Sequence, residues 1–210
     1  MEEKILNFYL LGEPRGTYLT SPVGDPTDVT EFFVIGYPGG EAIGIFISRL
    51  DAEICRLYLN RQNHDDRRNE YEMVGHKDRR VAIIKKSKIA IPPCHLISGF
   101  VADAKTRKLV LQGGCYSLMH AGLFADDQNW LLWGEEKPQR DILSFMQKSF
   151  AACGEDGYLE ELRELDGLDG QNLMKLAQIA VLQIGVMTSG TPTIPVFFSP
   201  RREGWIELKN

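Results

Sequence analysis

The chain has 210 residues, 43% of them apolar and 25% charged, and a formal net charge of −5. These proportions support a sizeable core and exclude a disordered, collagenous or coiled-coil chain. Met1-Glu2-Glu3-Lys4 followed by ILNFYLL lacks the basic start and small-residue cleavage site of a secretory signal, and no apolar run is long enough to span a bilayer. The expectation is a cytoplasmic protein, away from membranes, with Cys55, Cys94, Cys115 and Cys153 reduced.

In chain order, Ile5–Leu11 reads as a first strand and the Gly- and Pro-rich stretch Gly12–Thr30 as an ordered surface loop. Glu31–Tyr37 and Ala42–Ile47 are strand patterns on either side of Pro38-Gly39-Gly40, which predicts a hairpin. Ser48 then stands at a helix N-cap with Asp51 three positions on. Leu50, Ile54, Leu57 and Tyr58 form one helical face and Arg49, Asp51, Glu53 and Arg56 the other, with Cys55 a small apolar neighbour of the core.

From Arg61 to Arg80 the sequence is polar and aperiodic, the pattern of a surface connection. Val81–Ile84 and Ile89–Ile91 are short strand patterns. Leu96–Asp103 and Arg107–Gly114 predict a hairpin around Ala104-Lys105-Thr106, and Asn129–Trp133 a further strand. A helix is expected from Pro138 through Ile142, Phe145, Met146, Ser149 and Phe150, stopping at Gly154. Tyr158, Leu159, Leu162 and Leu165 mark a short acidic helix, and Gln171–Met187 a more apolar one, buried on most sides. Ile194–Phe198 and Trp205–Leu208 form a closing hairpin.

Strands early and helices late give α+β, a largely antiparallel mixed sheet with helices clustered in the C-terminal third. One domain over 1–210 is expected, with a division into two lobes near residue 134 as the alternative.

The motifs of common chemistries are missing or incomplete. Gly39-Gly40 and Gly113-Gly114 lie in no phosphate-binding pattern and read as turns. Cys94, His95, Cys115 and His120 are ligand types that zinc accepts, but adjacent Cys94-His95 has a poor bite and no C-x-x-C exists, so no metal is expected. Cys115 with His120 is the best nucleophile–base pair among candidates that include His64 and His76. No motif frames it, so no catalytic residue and no cofactor are assigned, and an enzyme with a loop-assembled Cys/His site is the alternative. Arg61–Lys88 carries nine Lys/Arg against five Asp/Glu, and Tyr71 lies between Arg67-Arg68 and Arg79-Arg80. Those interleaved carboxylates and the acidic total argue against nucleic acid.

Gly190–Phe198, GTPTIPVFF, is similar to the loop of thioredoxin-like proteins in which a cis proline precedes a strand. Thr191-Pro192-Thr193 stands in the place of that loop. The family's loop packs against a C-x-x-C motif that this sequence lacks, so the resemblance, confined to residues 190–208, implies a redox-inactive thioredoxin-like protein.

Charge placement is the strongest remaining signal. Glu155–Asp169 contains seven acidic residues against Arg163 alone. A solvated stripe of that kind attracts a basic partner and speeds encounter. The reading is a non-catalytic protein-binding module, in its most concrete form an inhibitor or immunity-type protein that occludes a basic toxin or enzyme. Glu160, Glu161, Glu164 and Asp166 are the expected partner-binding residues, with Trp130, Trp133 and Trp205 as aromatic residues of core or interface type.

Overall fold

A computed structural model describes residues 17–21, 31–32, 34–37, 40–62, 71–75, 94–112, 115–125, 144, 147–154, 157–188 and 192–208. Its strands are β1 (Thr17–Ser21), β2 (Glu31–Phe32), β3 (Val34–Tyr37), β4 (Gly40–Phe46), β5 (Glu72–Gly75), β6 (Cys94–Asp103), β7 (Leu109–Gln112), β8 (Cys115–Tyr116), β9 (Leu118–Ala125), β10 (Val186–Met187), β11 (Thr193–Ser199) and β12 (Gly204–Glu207). Helix α1 (Arg49–Gln62) lies between β4 and β5. A helical stretch at 147–152, then α2 (Tyr158–Gly167) and α3 (Gly170–Gln183), follow β9. The fold is α+β, with a largely antiparallel mixed sheet and helices gathered towards the C-terminus; among the described pairings only β4 with β6 and β7 with β10 run parallel.

Strand β6 is the axis. On one edge its first half pairs with β4 (Phe46 opposite Ile97) and its second half with β11 (Val196 opposite Phe100). On the other edge it pairs with β9 and then, at Ala102, with Leu109 of β7. The change of neighbour falls at Gly99, whose φ of +142 lies where side chains are disfavoured. A Cβ there would stand 2.8 Å from the Val196 carbonyl oxygen, so the close approach of β11 depends on glycine.

The expected hairpins form: β3 with β4 through Tyr37 opposite Gly40, and β11 with β12 through Ser199 opposite Gly204. In the β6–β7 turn, Asp103 Oδ1 accepts from the Lys105 and Thr106 amides (3.1 and 2.6 Å) and from Thr106 Oγ1 (2.7 Å), holding the carboxyl below its usual range. Four strands, β1, β5, β8 and β9, sit where the sequence signals loop or no element. β1 and β5 occupy the loop-like stretches 12–30 and 61–80 and pair with each other, and β9 lies along β6. Ile5–Leu11, Val81–Ile84, Ile89–Ile91, Asn129–Trp133 and the start of the Pro138 helix lie outside the described residues.

Helix α1 starts as its sequence predicts: Ser48 Oγ accepts from the Asp51 amide (3.4 Å) and the Ser48 carbonyl from Ala52 (3.2 Å). Its faces differ from the sequence reading. Asp51 and Glu53, expected outside, are 5% and 1% exposed, because the first half of α1 is enclosed by the sheet, α2 and α3. Glu53 is satisfied there by a two-pronged bond to Arg56 (2.6 and 2.7 Å). Helix α3 departs in the opposite sense. It ends at Gln183, buries Leu173, Ala177 and Ala180, and leaves Leu182 79% exposed.

The core joins α1, α3 and the sheet through Phe46, Leu50, Ile54, Ile97, Phe100, Leu109 and Leu173, all fully buried. Each such side chain contributes on the order of 1.5–3 kcal/mol by leaving water. Trp205 belongs to this core: its ring meets Phe100 and Phe198 edge-on at 5.5 and 5.8 Å, and its Nε1 donates to the Ala180 carbonyl (2.9 Å). Trp130 and Trp133 are outside the described residues.

Gly99→Ala should therefore lower stability by roughly 2–3 kcal/mol, read as a lower urea midpoint. Gly167→Ala, where a Cβ meets nothing within 4 Å, should leave the midpoint unchanged or raise it.

Candidate functional site

The acidic segment folds as α2, which begins after Gly157 and carries Glu160 and Glu161 in its first turn. Carboxylates there oppose the positive end of the helix dipole, so two of the four expected binding residues also stabilise their own helix. At the other end, Arg49 Nη1 donates to the carbonyls of Leu165, Asp166 and Leu168 (3.5, 2.7 and 3.3 Å). The first residue of α1 thus satisfies the exposed carbonyl end of α2.

The turn of the β11–β12 hairpin lies against α2. Ser199 Oγ donates to Glu161 Oε1 (3.1 Å) and the Arg201 amide approaches the same oxygen (3.5 Å). Arg201 Nη2 donates to Glu164 Oε1 (3.0 Å), and that pairing raises the guanidinium pKa further above its ordinary value. Arg202 Nη2 donates to the Gly154 carbonyl (3.2 Å). A cavity of about 260 Å³ lies between these elements, with Glu161, Glu164 and Arg201 over a floor of Leu165, Leu168, Leu176 and Pro200.

The four expected residues are therefore not equivalent. Glu164 and Asp166 are exposed and Glu160 is half-buried, whereas Glu161 is 5% exposed and bonded to Ser199. Glu161 faces inward because helical spacing sets it with Leu165 on the packed side of α2, where the hairpin turn provides a hydroxyl and an amide. Arg201 lies 40 residues from Glu161 in sequence and Arg202 48 from Gly154, and nothing local announces that they meet. Ser199, Arg49 and Leu176 were equally hidden. Asp51 was legible as part of a helix cap but not as a buried acid.

Asp51 is pushed up to about 7, first by burial and then by the charge of Glu161. Both carboxyls are 5% exposed, and the charge of Glu161 adds to the effect of burial on Asp51. Cys115, the thiol of the expected Cys115/His120 pair, is buried against Cys55 at 3.3 Å between sulfurs. His120 lies in β9 opposite Ile97, and Cys94 and His95 open β6 opposite Ala125 and Leu123. Among the described residues no three His, Cys, Asp or Glu side chains are grouped as a metal site would need, and no helix is long and apolar enough to cross a membrane. His64, His76 and the basic segment from 76 to 88 lie outside the described residues. No family model, curated protein or solved structure matches the chain.

The raised Asp51 pKa gives a direction for stability. Below 3.8 both folded and unfolded chains hold the proton, between 3.8 and about 7 only the folded chain does, and above 7 the folded chain carries a buried charge. Stability from this group is fully present below 3.8 and is lost as pH rises through about 7. Asp51→Asn should match the wild type near about pH 4 and exceed it by roughly 2–4 kcal/mol at about pH 8, read from urea midpoints at both pH values.

Proposed function

We propose that this chain is a non-catalytic protein-binding module whose contact face is the exposed side of α2 together with the β11–β12 turn. The observation that supports this reading is the 260 Å³ cavity, which sets carboxylates above a leucine floor. A lysine or arginine from a partner would lay its apolar stem on Leu165, Leu168 and Leu176 and bring its cation to Glu164.

Glu164 is already paired with Arg201, but that pair is open to water, with side-chain exposures of 64% and 41%. Pairs of this kind are worth about 0–1 kcal/mol, so exchange for a partner's cation costs little. Arg201 also weakens the long-range field of the acidic segment, which leaves close complementarity as the larger source of selectivity. Glu160 and Asp166 flank the contact, and Glu161 acts from behind it by holding the hairpin turn in place. An inhibitor or immunity-type protein that occludes a basic toxin or enzyme is the most concrete form of this reading.

Combined Glu160→Lys, Glu164→Lys and Asp166→Lys should leave the far-ultraviolet circular dichroism unchanged and reduce capture of the partner from native cell extract by about tenfold or more at low salt. High salt should weaken capture by the wild type. Undiminished capture by the folded triple variant would refute the acidic-face reading.

A further inference from the structure

The buried thiols of Cys55 and Cys115 have no place in the binding reading. They sit on different elements, α1 and β8, 60 residues apart in sequence, with sulfurs 3.3 Å apart. Cys55 is fully enclosed and Cys115 is 7% exposed. Around them lie Tyr58 and Tyr116, whose rings are 4.3 Å apart, so the sulfurs face each other in a closed apolar setting. Two sulfurs at this separation need only about 1.2 Å of approach to reach bonding distance, within the reach of small side-chain rotations.

We propose that Cys55 and Cys115 are a disulfide-forming pair, which on oxidation by a hydroperoxide becomes an internal cross-link between α1 and the β7–β8 ladder. Cys115 is the sulfur that meets the oxidant. Strand β8 has two residues and is held to β7 through Leu111 opposite Tyr116 and Gln112 opposite Cys115, so a small local opening uncovers it. In the first step its sulfur attacks the peroxide oxygen, the O–O bond breaks, and Cys115 becomes a sulfenic acid with release of the alcohol or water. In the second step the Cys55 sulfur attacks the sulfenic sulfur, the S–O bond breaks, the S–S bond forms, and water leaves with the Cys55 proton. Two electrons pass from the thiol pair to the peroxide in total.

Burial, the bond to Cys115 and the nearby Asp51 all raise the Cys55 pKa. Cys55 is therefore the poorer first nucleophile, and its full burial 3.3 Å from the Cys115 sulfur places it for the second step, in which its proton leaves with the departing hydroxide as water. Cys153 is engaged elsewhere, with its sulfur 3.1 Å from the Glu207 carbonyl oxygen.

The test treats the native full-length chain with hydrogen peroxide and reads intact mass, a non-reducing peptide map and thermal unfolding. The expected result is a loss of about 2 Da per chain, a peptide joining Cys55 to Cys115 that dithiothreitol separates, and an unfolding temperature raised by roughly 5–10 °C. Cys55→Ala should instead retain oxygen adducts on Cys115. Should that variant fail to fold, the wild-type peptide map decides alone. Oxygen adducts without cross-linking, a linkage through Cys94 or Cys153, no reaction, or a cross-link that lowers the unfolding temperature would each overturn the proposal. The readout does not involve a partner, so it stands or falls apart from the binding reading.

Discussion

Ile97 and Phe100 are three residues apart in β6, yet along one edge they answer to different strands, Phe46 of β4 for the first and Val196 of β11 for the second. Both residues are fully buried, so the change of neighbour happens inside the core and not at a frayed margin. The irregularity in register at Gly99 lets one strand carry an N-terminal hairpin and a C-terminal hairpin on the same edge. Everything that meets near α2 follows from that. The parallel β4–β6 pairing delivers the chain into α1 at Ser48, and the β6–β11 pairing brings Pro200 to Arg202 round to the acidic helix.

Helix α1 is where these two halves are tied together. Its first residue satisfies the carbonyl end of α2, and Asp51 faces the charge of Glu161. One turn later Cys55 reaches the sulfur of Cys115. A helix enclosed on this many sides has few places to send polar side chains, which explains why Asp51 and Glu53 are buried although their spacing suits an outer face. Glu53 finds Arg56 on its own helix and stays inexpensive to bury. Asp51 is left to favour its neutral form.

What the sequence revealed was local. The Ser48 cap, the β3–β4 hairpin, the Ala104–Thr106 turn and the final hairpin each rest on residues within a few positions of one another, and each is present. β1 and β5 were not legible because their reason for being strands is each other: Tyr18 pairs with Val74, and neither segment alternates clearly alone. The same limit governs the candidate site. Glu160, Glu164 and Asp166 could be read from a run of acids, but Glu161 was assigned to the same face because its partner, Ser199, lies 38 residues away. Helix α3 is shorter and more exposed than its apolar sequence suggests, because composition shows how hydrophobic a helix is and not how many sides are covered.

That difference bears on how an acidic segment should be weighed. A run of carboxylates has a sequence charge that is fixed, but the field it presents depends on what the fold lays beside it. Here a hairpin turn places Arg201 on Glu164 and Arg202 on the carbonyl that closes the preceding helical stretch. The result is less a uniform negative edge than a small concavity lined by both charges and leucines. Arg201 on Glu164 reduces the long-range attraction of such a surface. In the proposed binding role, a visiting side chain would have to fit against those leucines and displace an arginine at the same time, which favours discrimination over raw attraction.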